Sequence, residues 1–178
     1  MDFFLFALKR KRRLFFLLPR MGRAYLFCMF GKMEKKACKE IFFSFLQKLD
    51  DPAREMECFA AWNRKKIKKW YLAQMKKDDV IITASPEPLV RLFFNELLGQ
   101  KCLGTRMDMR TGRICGENCR GMEKVIRFQE EYGERPIDDF YTDSRSDMPV
   151  AMLARHAYLV KRIPAKNFCR EILRRPES

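Results

Sequence analysis

A few side chains of this 178-residue chain have types and positions suited to chemistry. Thr83 follows the β-branched run Val80-Ile81-Ile82 and opens Thr83-Ala84-Ser85-Pro86, ahead of a helical stretch. A hydroxyl there, with the N–H groups of Ala84 and Ser85, suits phosphate oxygens, because the first N–H groups of a helix lack partners inside it. Ser85 acting only as a helix cap is the competing reading. Asp143 ends a second short run, Phe140-Tyr141-Thr142, and Asp147 stands four residues on at the start of a helix. Two carboxylates converging at a strand end suit a hard cation such as Mg²⁺, and a solvated loop with a capping Asp would use the same residues. Lys124 opens a helix after the loop Gly116-Glu117-Asn118-Cys119-Arg120-Gly121 and is placed to offset anionic charge, in a chain with 37 basic residues.

Other chemistries have weaker support. The seven cysteines (Cys28, Cys38, Cys58, Cys102, Cys115, Cys119 and Cys169) contain no CxxC pair, and His156 is the single histidine. Cys115 and Cys119 lie four apart, but a zinc site needs four ligands at suitable spacing. Free thiols in a reducing cytoplasm are the expected state. His156 lies in Ala154-Arg155-His156-Ala157, without a nucleophile motif, and reads as structural or exposed.

The elements that must position these residues follow from apolar spacing. Residues 2–49 read as helices, with breaks near Pro19 and Gly31. Asp50-Asp51-Pro52 is a helix start, an Asp cap followed by Pro in the first turn. The helix after it places Met56, Phe59, Ile67, Trp70 and Tyr71 on one side and runs to Lys76-Lys77. Val80-Ile81-Ile82 is a buried strand. Leu89, Leu92, Phe93 and Leu97 then carry a helix to Gly99. A weaker strand at Lys101 to Thr105, a hairpin turn at Arg110-Thr111-Gly112-Arg113 and a helix from Met122 to Tyr132 closed by Gly133 come next. A strand at Phe140-Tyr141-Thr142, a helix through Met152-Leu153 and a last strand from Ala157 to Val160 complete the pattern. Alternating strands and helices imply a parallel sheet covered on both faces, with ligands at the carboxyl ends of the strands.

Charge divides the chain. Residues 1–77 carry 20 basic and 7 acidic side chains, residues 78–178 carry 17 and 16, and the whole has net charge +14. The expected organisation is a basic helical region at 1–77 and an α/β core at 78–178. With 47% apolar residues the chain can form a core, which excludes wholesale disorder. No apolar run reaches the ~18–20 residues that span a bilayer, and the basic block Lys9-Arg10-Lys11-Arg12-Arg13 follows an apolar run, unlike a signal peptide. The favoured reading of the N-terminal apolar faces is packing on their own protein. A basic amphipathic surface resting on anionic lipid is the alternative.

Order and spacing together go further. An apolar strand then Thr83-Ala84-Ser85-Pro86, later Asn118-Cys119-x-Gly121-x-x-Lys124-Val125, and later an apolar strand then Asp143-Ser144-x-Ser146-Asp147: this resembles the haloacid dehalogenase (HAD) superfamily of phosphatases. The nearest likeness is to the phosphoserine-phosphatase-like branch with a helical cap, and the resembling stretch runs from about Asp79 to Phe168. The resemblance implies a doubly wound parallel sheet with an inserted α-helical cap at 1–77. It also implies phosphate binding by Thr83, Ala84, Ser85 and Lys124, and Mg²⁺ binding by Asp143 and Asp147. Lys124 would stabilise phosphate and nucleophile charge, Asp147 would support the metal's water shell and the lysine, and Ser85, Asn118 and Ser144 would assist.

One departure matters. The family attacks phosphorus with an Asp that ends its first strand, in an apolar-Asp-x-Asp-x-Thr sequence, forming an aspartyl-phosphate, and the second Asp serves as acid and base. No such motif exists here; Asp2 and Asp108 both lack the second Asp. The expectation is a chain that starts late, lacking the first, central strand of the sheet. Its loss would leave a gap or two unpaired inner strand edges, an unstable or sticky chain and no phosphatase activity. The expected partners are a small phosphorylated substrate and, through the basic residues of 9–77, anionic membrane or nucleic acid. No obligate protein partner is implied. The location would be cytoplasmic, or peripheral to a membrane. The reading from a different class is a non-catalytic basic protein that binds nucleic acid or anionic membrane, with Trp62 and Trp70 interleaved among Arg64, Lys65 and Lys66.

Overall fold

The computed structural model describes residues 2–160 and 170–173. The Leu97 side chain, Cys169 and the end of the resembling stretch at Phe168 lie outside the described residues. The chain divides into two compact units, Met1–Asn118 and Cys119–Ser178. The change in charge at residue 77 falls inside the first.

The first unit opens with helices α1 (Asp2–Arg10), α2 (Leu18–Met29) and α3 (Lys35–Phe43). Phe3, Phe4, Ala7 and Leu8 recur at helical spacing, and all four are buried. They enclose Phe45, which is fully buried, with the Phe3 and Phe4 rings meeting it edge-on at centroid distances of 5.4 and 5.2 Å. Leu14, Leu46, Met56, Phe59 and Leu89 complete this core. Pro19 does not break a helix. It sits in the first turn of α2, where its missing N–H costs nothing, and the interruption is the tight 3₁₀ segment Arg12–Leu17 just before it. The expected break at Gly31 is present, with φ +68.

Asp51 caps α4 (Pro52–Asn63) as expected, its carboxylate accepting from Arg54 N–H at 3.0 Å. The helix expected to continue to Lys77 does not. A 3₁₀ turn at Arg64–Lys66 intervenes before α5 (Lys69–Gln74). Five cations within six residues, Arg64 to Lys69, would repel along a continuous helix face, which favours the interruption.

Strand β1 (Val80–Pro86), helix α6 (Glu87–Leu98) and strand β2 (Lys101–Thr105) form a β–α–β unit with β1 and β2 parallel. Ile82 pairs with Leu103, but the next pair is Pro86 with Thr105, so three residues of β1, Thr83 to Ser85, bulge opposite the single Gly104. Gly104 is required there: an added Cβ would lie 2.8 Å from both the Ser85 carbonyl oxygen and Glu87 Cα. The expected hairpin turn forms beyond β2, where the Asp108 carboxylate accepts from Arg110 N–H at 2.8 Å and from the Thr111 hydroxyl at 2.7 Å.

The second unit contains α7 (Met122–Tyr132), β3 (Ile137–Thr142), α8 (Met148–Ala151), β4 (Ala154–Val160) and β5 (Arg170–Leu173). β3 and β4 are parallel, and Tyr141 and Tyr158, paired in register, stack at 4.8 Å. β5, which apolar spacing did not reveal, pairs antiparallel to β4. The fold is mixed α/β with parallel strands, as expected for its class. The strands form two sheets, β1-β2 and β3-β4-β5, rather than one, and the second is not wholly parallel. Among the described residues β1 has β2 as its only strand neighbour and β3 has only β4, so each keeps one edge open.

Candidate active site

The second unit brings together Lys124, Asp147 and Thr142. Gly121, at φ +60, turns the chain into α7 and sets Lys124 in the helix's first turn. Asp147 closes the 3₁₀ turn Arg145–Asp147, whose cap is Ser144: the Ser144 Oγ accepts from Ser146 N–H at 3.3 Å. The Lys124 Nζ donates to Asp147 Oδ2 at 2.7 Å, and the Thr142 Oγ1 donates to the same oxygen at 2.9 Å. All three residues are buried, Lys124 to 6% and Asp147 to 7% exposure. Buried charges persist when paired and hydrogen-bonded, so Asp147 fixes the ammonium in place. Two of that ammonium's three donors have no partner among the described residues.

Asp143 stands immediately after β3 with its residue surface exposed, and Ser144 N–H donates to Thr142 Oγ1 at 3.1 Å. Of the two carboxylates expected to meet a cation, Asp143 is exposed at the end of β3, and buried Asp147 accepts from Ser146 Oγ at 3.5 Å through the oxygen that Lys124 leaves. Mg²⁺ retains several waters and takes one or two carboxylates. Among the described residues no three His, Cys, Asp or Glu side chains gather as a fuller ligand set. Thr142, which the sequence reading did not single out, joins this cluster from its place directly before Asp143 at the strand end.

The first unit holds the other candidates. Thr83 Oγ1 accepts from Ser85 N–H at 3.1 Å, so one of the amides expected to receive an anion is bonded to the threonine's own hydroxyl. Ser85 is not the residue adjoining α6, which starts at Glu87 after β1 has continued through Pro86. Ala84 and Asn118 belong to one polar cluster. Thr105 Oγ1 lies 2.9 Å from the Ala84 carbonyl and 3.1 Å from Asn118 Oδ1. The Lys39 Nζ donates to the Ala84 carbonyl, to Thr105 Oγ1 at 2.9 Å and to Asn118 Oδ1 at 2.8 Å. Lys39 uses all three donors to tie α3 to the ends of β1 and β2. Nothing in the sequence distinguished it from its basic neighbours.

His156 is an exposed residue of β4, with Nδ1 at 3.5 Å from Asp139 Oδ1. Cys28, Cys38, Cys58, Cys102, Cys115 and Cys119 are free thiols.

The sequence profile of the haloacid dehalogenase-like hydrolases matches residues 1–152. The chain belongs to that family. CicA of Caulobacter vibrioides, in each of two strains, is 37% identical over 81 residues, a match covering 42% of this chain and 36% of CicA. The matched stretch thus spans little more than a third of the curated relatives' length. No solved structure matches the chain.

Proposed function

We propose that the chain is part of a phosphomonoester hydrolase of the phosphoserine-phosphatase-like kind, with residues 1–77 in the role of a helical cap. The observation that carries this reading is the buried Lys124 ammonium, anchored by Asp147 with two donors left for an anion. Such a cation in a low-dielectric setting stabilises charge developing on phosphoryl oxygens without reorganising. Asp147 positions the lysine, and Thr142 braces Asp147. Asp143, with support from Asp147, would hold Mg²⁺, which when bound supplies Lewis-acid stabilisation of phosphoryl charge. By family resemblance Thr83, Ala84 and Ser85 would receive phosphate, the Ser85 N–H exchanging the Thr83 hydroxyl oxygen for an anion oxygen.

The 178 residues contain no Asp-x-Asp pair. We therefore infer that they do not complete a turnover alone, whatever accompanies them in a longer protein. The test is hydrolysis of p-nitrophenyl phosphate in Mg²⁺ by the chain as given and by a fusion carrying an apolar strand with Asp-x-Asp at its amino end. Hydrolysis by the fusion alone, falling about 10²–10³-fold in Lys124→Ala, is the expected result. Mg²⁺-dependent hydrolysis by the 178 residues themselves would contradict it.

A further inference from the structure

Residues 12–30, the 3₁₀ segment and α2, bury only part of their apolar surface. Leu14, Leu17, Met21 and Ala24 face the core. Leu18, Tyr25 and Met29, at i, i+7 and i+11, form a second exposed stripe along α2, and exposed Leu26 and Phe27 carry the apolar face round toward Arg23 and Arg20. Phe15, Phe16 and Phe30 extend this surface at the two ends, the last two at 62% and 68% exposure. The packing expected of the N-terminal apolar faces is therefore only half realised. Contiguous exposed apolar surface of this kind marks an interaction site.

The charge beside it identifies the partner. From Phe3 to Met33 there is no acidic residue and there are eight basic ones. Lys11 and Arg13 reach Asp50, whereas Arg12, Arg20 and Arg23 are exposed and have no acidic partner among the described residues. We propose that this surface docks on an anionic phospholipid membrane, lying in the interface with its aromatic and aliphatic side chains among the acyl chains and its arginines at the headgroups. No helix among the described residues is long and apolar enough to cross a membrane, and an interfacial helix does not need to be. A second copy of the chain is a poor occupant, because a self-complementary contact here would bring unpaired arginines of like sign together. Nucleic acid would engage the arginines and the exposed aromatics but leave Leu18 and Met29, which have no π-face for a base to stack on, in water. The proposal is independent of the catalytic reading.

The experiment is co-sedimentation of the whole chain with phosphatidylcholine vesicles, with and without phosphatidylglycerol as about a third of the lipid. Binding should require phosphatidylglycerol and weaken with salt. Arg20→Gln and Arg23→Gln should each weaken it about fivefold, and Phe16→Ser with Phe30→Ser at least about tenfold. All these positions are exposed, and unchanged circular dichroism confirms that each variant folds. Equal binding to both vesicles, or none, would overturn the proposal. So would a dimer in solution that Phe16→Ser with Phe30→Ser abolishes, or single-stranded RNA binding tighter than vesicle binding and indifferent to the phenylalanines.

Discussion

Lys124 and Asp147 form a buried ion pair, and their burial gives them a measurable structural role. Removing the ammonium leaves a buried carboxylate with two neutral donors, the Thr142 and Ser146 hydroxyls, the latter long at 3.5 Å. Lys124→Met should lower unfolding free energy by about 3–5 kcal/mol, read by urea denaturation, and adding Asp147→Leu should restore part of it by removing the stranded charge. A loss below about 1 kcal/mol would mean that the pair is solvated. At this scale Lys124, Asp143 and Asp147 were singled out by the order and spacing of three segments taken together, and the structure brings Lys124 and Asp147 into contact. Lys39 was not, since its partners Ala84, Thr105 and Asn118 lie 45 to 79 residues away. The bonding of Thr83 to Ser85 was equally hidden, because it lies in a bulge whose close approach to the neighbouring strand only Gly104 allows.

At the scale of elements, apolar period and capping located nearly every helix and strand, and the errors have physical causes. The break expected near Pro19 falls just before it, at Arg12–Leu17, because Pro19 itself suits the first turn of α2. The long helix after Asp51 was read from its apolar side alone, ignoring repulsion among Arg64 to Lys69. β5 lacked any signal strong enough to separate it from loop. The contact of α2 with α3 offers a test. The buried Cys38 thiol, whose Sγ donates to the Ala24 carbonyl at 3.7 Å, is pushed up to about 11, first by burial and then by neighbouring Cys28. The native thiol therefore stays protonated well above the pH at which an exposed thiol ionises, near ~8.5. At pH near 8 iodoacetamide should alkylate exposed Cys115 rapidly and Cys38 only after unfolding, as mass spectrometry of peptides would show. Comparable rates would mean that α2 and α3 separate readily.

Over the whole molecule, the sequence announced an α/β protein with an excess of positive charge in its first 77 residues, and the family match agrees with that class. What composition could not show is which apolar residues stay outside, because a periodic stripe looks the same whether it meets a core or a membrane. Nor could it show the division of strands into two sheets with open edges on β1 and β3, since pairing is settled by partners distant in the chain. The central claim is that the carboxyl end of β3 and the start of α7 form an anion site that works with a divalent cation. Its most direct measurement is a titration of the isotope-labelled chain with inorganic phosphate by amide NMR, with and without Mg²⁺. Saturable shifts at Lys124, Asp143 and Ser144 that tighten with Mg²⁺, and lose that dependence in Asp143→Asn, are the predicted result. Shifts that never saturate, or that ignore Mg²⁺ in the unsubstituted chain, would contradict the claim.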